Sequence, residues 1–412
     1  VELALHRTIA LAAFLCTYLG LALGRIPGLR VDRTGVAIIG AAAMVVTGVI
    51  PWERAVAAVD AHTLALLFGM MIVSAYLRLS GFFHLVTVWA VRRTRTPFGL
   101  LTAMIGASGI LSALFVNDVV CLVLAPVVLQ VTRQLRLPPV PYLIALATAA
   151  NVGSVATLTG NPQNMLVGSF SGIPYRTFLL YEAPVAVVGL GCVLGVVWLV
   201  YRRDLAAQRF EPAWLDTHFA VHHALMLKTV LAVGVMLVAF LAGVPVALVA
   251  VGGAAYTLVT RRVNPAKVYR EINWELLVLF TGLFVLIAGV EAAGLTRQLF
   301  QWVEPLSLHR PAILTLVAAA VSNLVSNVPA VLLFKTVIPS FGEPARGWLL
   351  LAMASTLAGN LTLLGSVANL IVVEVARGSR IRIGFLEYCR VGVPLTLLTL
   401  LLGWLFLASV RV

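Results

Sequence analysis

Apolar runs of about 20 residues recur along the whole chain, separated by short polar or basic stretches. Runs of that length match the hydrocarbon thickness of a bilayer, so each predicts a membrane-spanning helix. The predicted full spans are roughly 8–24, 35–50, 62–80, 140–171, 178–201, 224–243, 245–260, 273–292, 346–376 and 391–410. The runs are continuous rather than alternating, which argues against a β-barrel. The first resembles a signal segment after His6-Arg7, but no small-residue cleavage site follows, so it reads as a retained span.

Two further apolar blocks, about 98–133 and 311–340, carry a polar break near the middle. Each arm is then about 14–18 residues, or roughly 21–27 Å of helix, short of a core of about 30 Å. Both blocks therefore predict re-entrant hairpins. Irregular backbone at that depth is tolerated only where protein or a water-filled cavity surrounds it. Two of the full spans are also interrupted, at Thr157-Leu-Thr-Gly160-Asn161-Pro162-Gln163-Asn164 and at Thr362-Leu-Leu-Gly365-Ser366-Val-Ala-Asn369. Proline removes a backbone donor, so the first break should unwind its helix strongly; the second lacks proline and predicts a milder break.

The interruptions are versions of each other. Ser112, Leu114 and Asn117 match Ser322, Leu324 and Asn327 at an offset of 210. Thr157, Gly160 and Asn164 match Thr362, Gly365 and Asn369 at 205, while Gly69 and Gly81 match Gly282 and Gly294 at 213. Paired interrupted segments in two halves point to a transporter's substrate site. The expected fold is an all-α polytopic membrane protein of two inverted repeats, each with five spans and a hairpin. The first repeat covers 1–201, with scaffold 1–97 and transport elements 98–201. A cytoplasmic linker, 202–223, leads to the second repeat, 224–412, with scaffold 224–310 and transport elements 311–412. Amphipathic segments 82–96 and 295–308 are too short to cross and predict interfacial helices.

Composition fits this picture. The 412 residues are 61% hydrophobic and 11% charged, against about 25% charged in soluble domains. The net charge of +13 reads as basic cytoplasmic loops rather than a nucleic-acid surface. With the N-terminus outside, Arg92, Arg93, Arg133, Arg202, Arg262 and Arg377 all fall on the cytoplasmic side. That places both termini outside a cytoplasmic (inner) membrane. Cys16, Cys121, Cys192 and Cys389 are scattered, so no disulfide framework or metal site is indicated. Without a Walker-type phosphate loop, a catalytic triad or zinc spacing, the chain reads as a secondary transporter, neither an enzyme nor a cofactor binder.

Asp118 reads as the one acidic residue deep in the membrane. A carboxylate there normally marks an ion or proton path. Its competing role is an N-cap holding the turn. Asn117 and Asn327 at the two tips offer amide donors and acceptors to a small hydroxylated or hydrated ligand. Ser326, Thr159, Gly160, Asn161, Asn164, Thr362, Gly365, Ser366 and Asn369 complete the candidate binding set. Threonines in such helices also bond their own backbone.

These motifs resemble the ion transporter superfamily, which includes arsenite efflux permeases, NhaD-type sodium/proton antiporters and divalent-anion/sodium symporters. The resemblance runs over nearly the whole chain. It rests on Asn117-Asp118 with Ala125-Pro126, on Gly160-Asn161-Pro162-Gln163-Asn164, and on Ser326-Asn327-Val328-Pro329. It implies an elevator, in which a transport domain slides against a fixed scaffold. The symporters carry Ser-Asn-Thr at both tips, whereas Val116-Asn117-Asp118 is similar to the arsenite permeases. The reading is therefore proton-coupled efflux of arsenite and antimonite, the proton carried by Asp118. Its rivals are a sodium-coupled dicarboxylate or sulfate-like symporter and a sodium/proton antiporter. A receptor or channel subunit fits less well, because inverted repeats serve alternating access. A site of Asn, Ser and Thr with no basic residue suits neutral arsenous acid. The resemblance also implies a homodimer and leaves room for an ATPase partner on the basic cytoplasmic face.

Overall fold

The computed structural model describes residues 2–24, 30–206, 221–260, 262–295 and 307–410. All regular structure among them is helical. The first half holds α1 (Glu2–Leu23), α2 (Arg33–Val46), α3 (Trp52–Ala57), α4 (Ala61–Ser80), α5 (Phe82–Arg92), α6 (Pro97–Leu114), α7 (Asn117–Gln134), α8 (Pro139–Ser154), α9 (Pro162–Ser171) and α10 (Tyr175–Tyr201). The second half holds α11 (His223–Leu241), α12 (Val246–Leu258), α13 (Pro265–Tyr269), α14 (Trp274–Ala292), α15 (Pro311–Val325), α16 (Asn327–Phe334), α17 (Pro344–Ala358), α18 (Val367–Gly378) and α19 (Phe385–Ser409). Seven of these helices are long and apolar enough to cross a membrane. The segment 82–96, expected at the interface, forms the short helix α5; most of 295–308 and of the 202–223 linker lies outside the described residues.

Length separates the remaining spans from expectation. The segments read as 35–50 and 245–260 form helices of only 14 and 13 residues. Each lies against a longer partner, α2 on α14 and α12 on α4. Small residues set both crossings. A Cβ at Gly69 would stand 2.7 Å from the carbonyl of Ala250, and one at Gly282 would stand 3.0 Å from that of Ala37. Gly69 and Gly282, like Ala37 and Ala250, are 213 residues apart. The two contacts are thus exchanged copies of one another at matched positions in the two halves.

The interrupted segments form the other layer. α6 and α8 run in the same direction. Tyr142 donates to the carbonyl of Pro97 at 3.1 Å near their starts, and Ser108 donates to that of Leu146 at 3.0 Å. Further on, Gly153 is pressed so close that a Cβ would lie 2.2 Å from the Gly109 carbonyl. α7 runs back again: Asn117, its first residue, meets Asn151 late in α8, and only residues 135–138 separate its end from the start of α8. The chain therefore reverses at Phe115-Val116, the first of them extended. In the second half the corresponding turn is a single residue, Ser326, with φ +80° and ψ 157°. That conformation is one a side-chain-bearing residue rarely adopts.

The breaks in the long spans fall at 155–161 and 359–366. The second is no shorter than the first, so the expected milder interruption is not found. The reason is that the amides, rather than proline, hold the unwound backbone. Asn164 Nδ2 donates to the carbonyls of Ser154 and Thr157, both at 3.0 Å. Asn369 Nδ2 donates to those of Gly359 and Thr362, at 2.8 and 3.2 Å. Every member of the second set lies 205 residues after its counterpart. Ser366 adds a cap by accepting from the N–H of Ala368.

Candidate functional site

The two tips and the two breaks converge on one cavity of about 200 Å³. Asn117 and Asp118 reach it from the first tip, and Ser326, Asn327 and Val328 from the second. Pro162 and Gln163 come from the first break, and Ser366 and Val367 from the second. The far wall is the start of α2 (Arg33, Thr34) and of α14 (Asn273, Glu275). Of the residues singled out from sequence, the cavity thus gathers Asn117, Asp118, Ser326, Asn327 and Ser366. Thr159, Gly160, Asn161, Asn164, Thr362, Gly365 and Asn369 are not on its surface. All but Thr159 belong to the breaks' own bonding behind it.

Behind the wall lies a chain of buried amides. Asn117 Nδ2 donates to Asn151 Oδ1 at 2.9 Å, and Ser366 Oγ donates to the same oxygen at 3.0 Å. Asn151 Nδ2 in turn donates to Asn360 Oδ1 at 2.9 Å and Asn369 Oδ1 at 3.1 Å. One side chain on α8 therefore joins the first tip to the second break. Asn161 caps α9, its Oδ1 accepting from the N–H of Asn164 at 2.8 Å. Its Nδ2 donates to Ser154 Oγ at 2.9 Å and Thr356 Oγ1 at 3.2 Å. Gln163 donates to the same threonine oxygen. The backbone N–H of Asn117 is held by the Gly160 carbonyl at 3.0 Å, which docks the first tip on the first break. Gly160 is required there, since a Cβ would lie 2.3 Å from the Ser154 carbonyl. Thr159 faces elsewhere, with Tyr175, in a small separate cavity.

What this network leaves unbonded is as informative. Asn117 Oδ1 and Asn327 Oδ1 are both buried and without a partner. They are matched positions in the two halves, and both residues line the cavity. Such groups are costly to bury unpaired, so an unpaired pair at one cavity calls for a donor. Asp118 adds a half-buried carboxylate to the same wall. It lies in the first turn of α7, where the helix dipole favours negative charge. The N-cap position belongs to Val116, with no side-chain cap bond, so capping is not the work of Asp118.

Three features were not read from the sequence. Arg33 lines the cavity, so the site is not free of basic residues. Its place just after a span boundary made it look like loop charge. Asn151 was passed over, although a lone amide inside Ala149-Ala150-Asn151-Val152 was a visible signal. Asp118 is also not the only acid in the apolar interior, because Glu182 on α10 is fully buried. It sits in a long apolar run that reads as an ordinary span.

The chain is similar over most of its length to membrane transporters. The structure aligns with the crystal structure of the Alcanivorax borkumensis YdaH transporter at a TM-score of 0.61 and 18% identity, covering 99% of this chain and 98% of that one. The silicon efflux transporter LSI3 of Oryza sativa subsp. japonica is 30% identical over 450 residues, covering 92% of this chain and 93% of the relative. A protein that carries the name arsB in Dictyostelium discoideum is 24% identical, covering 95% of this chain and 89% of its own. The inner membrane protein YbiR of Escherichia coli K12 is 29% identical over 362 residues, with 85% and 88% covered. Residues 18–358 match the family described as CitMHS, citrate transporter. A helical frame around a cavity of converging broken helices, together with that match, makes this chain a multi-pass membrane transporter of the CitMHS citrate transporter family.

Proposed function

We propose that this transporter exports a small, neutral, hydroxylated inorganic acid, with arsenous acid as the leading substrate, in exchange for protons bound at Asp118. The carrying observation is the pair of unpartnered amide oxygens, Asn117 Oδ1 and Asn327 Oδ1, beside a carboxylate on a cavity of about 200 Å³. These groups accept hydrogen bonds, and hydroxyls supply them. The volume lies below the roughly 300–1,000 Å³ of pockets that take drug-sized ligands, which favours a small substrate. Silicic acid, the neutral form of the element named in the rice relative, has the same chemistry. Binding of substrate and of a proton at Asp118 exclude one another, and such coupling is reciprocal.

The exchanged Gly69–Ala250 and Gly282–Ala37 contacts support a two-fold repeat, and the matched amide clamps support its extension to the broken helices. On this reading the helices from α6 to α10 and from α15 to α19 carry the site past the frame of α1–α5 and α11–α14. Both termini then lie outside the cytoplasmic membrane. A second reading, a carboxylate anion moved with sodium, is favoured by Arg33 on the cavity wall and by the family's description.

Flux in proteoliposomes with imposed pH and sodium gradients separates the two. The expected result is arsenite or silicic acid movement driven by the pH gradient, indifferent to sodium, and abolished by Asp118→Asn. Sodium-dependent uptake of citrate or succinate, lost in Arg33→Gln, would overturn the first reading in favour of the second.

A further inference from the structure

α10 packs one stripe of its surface inward: Tyr175, Phe178, Glu182, Val185, Ala186 and Gly189 are its buried residues through the first half. Glu182 occupies a place in that stripe where its neighbours are apolar or aromatic. It has no exposed surface, and neither carboxyl oxygen has a hydrogen-bond partner. It stands seven residues after Tyr175, on the same face and about 10 Å further along the axis.

Among the described residues no counter-charge is paired with it. The elements packed on α10 are α6, α8, α11, α17 and α19. α6 has no titratable side chain, and α8 has only Tyr142, which is bonded to the Pro97 carbonyl. α17 has only Arg346, engaged by Glu343 and the Val410 carbonyl. α11 brings His223, in its first turn, and Lys228, which donates to the Val259 carbonyl. α19 brings Glu387, Tyr388, Cys389 and Arg390 at its start; Glu387 accepts from the Gly384 N–H, and Tyr388 is itself unpartnered. On α10 itself are Tyr175, Arg176, Tyr181, Cys192 and Tyr201. None of them forms an ion pair or hydrogen bond with Glu182.

A structural role is hard to find for it. An unbonded carboxyl in an apolar interior costs free energy that a leucine would not. The matched position in the second half, 207 residues on, is Cys389, so the helix can be built without an acid there. An ionisable residue kept inside the membrane at such a cost marks a proton or ion path.

We propose that Glu182 is a second proton-binding site of this transporter, occupied in the conformation described here and emptied in another stage of the cycle. The step is simple: the carboxylate takes up one proton to become the neutral acid that its dry surroundings accommodate. Opening of the packing around α10 returns that proton to water. The proposal does not depend on which substrate the tip cavity carries.

Two measurements on the full chain in lipid nanodiscs and liposomes test it. Infrared spectroscopy at neutral pH should show a protonated-carboxyl C=O band that disappears in E182Q and moves in E182D. Coincident spectra for wild type and E182Q in that region overturn the proposal. In liposomes, with arsenite as the probe, E182Q should fold and transport while losing one of the proton-dependent limbs of the pH–rate profile. An E182Q profile superimposable on wild type also overturns it, as does an E182D profile superimposable on wild type if E182Q does not fold. Failure of wild type to move arsenite at all would count against the substrate reading, and the infrared comparison would still decide this one.

Discussion

The first tip and the second tip do the same job with different parts. The first turns through two residues, Phe115 and Val116, both at negative φ, and its Asn117 N–H is tied to the Gly160 carbonyl. The second turns through Ser326 alone, in a strained backbone conformation. Each presents an unbonded amide oxygen, but only the first adds a carboxylate; Val328 stands where Asp118 has its counterpart. Under the proposed function the shared amides hold the substrate, and the unshared acid is the place to look for coupling to an ion.

The largest effect on this contrast should come from Asn151, which serves both halves at once. Asn151→Ala leaves an amide N–H, two amide oxygens and a serine hydroxyl without their partner. At about 1–3 kcal/mol for each buried group left unsatisfied, the loss should be at least about 4 kcal/mol. Thermal unfolding in detergent measures it, and a change within error would show that the tips are held independently.

Next come the glycines of the two breaks. In Gly160→Ala the new Cβ meets backbone of Ser154 at 2.3 Å and Ser112 at 2.9 Å. In Gly365→Ala the closest approach is 2.9 Å, to the Gly359 carbonyl. The first should cost about 3 kcal/mol and the second about 1 kcal/mol, within the range of overpacking. Equal losses in unfolding midpoint would erase the asymmetry.

Smaller again is the effect on substrate. Asn117→Ala and Asn327→Ala each remove one acceptor, so each should weaken apparent affinity roughly ten-fold, the equivalent of about 1.4 kcal/mol. Direct binding or the concentration dependence of flux reports it. A large loss in one and none in the other would mean that only one tip touches the substrate. The smallest effect is a gain. Ser326→Gly relieves a side chain at φ +80° and should stabilise the protein by about 1 kcal/mol.

The order of helices was legible because apolar length and its interruption are local properties. Asn117, Gly160 and Asn164 could be found with their counterparts because the polar residues recur at a nearly fixed offset in an apolar background. What escaped was tertiary. Arg33 belongs to the cavity only because α2 begins beside the second tip, and no local pattern carries that. Asn369 looks like a ligand in sequence, yet its amide holds the backbone of the break at the carbonyls of Gly359 and Thr362. A polar side chain in a membrane segment has two ways to be satisfied, and sequence does not distinguish them. Glu182 was missed for the opposite reason: its surroundings are so uniformly apolar that the run around it reads as plain lipid-facing helix.

The brevity of α2 and α12 has a consequence of its own. At about 1.5 Å per residue, 14 and 13 residues extend only about 21 and 20 Å. A hydrocarbon layer is about 30 Å thick, and short helices thin the lipid beside them or admit water at their ends. If the site moves past the frame as proposed, a cargo carried beside α2, whose first residues line the tip cavity, crosses a thinner insulating layer than the surrounding membrane would impose.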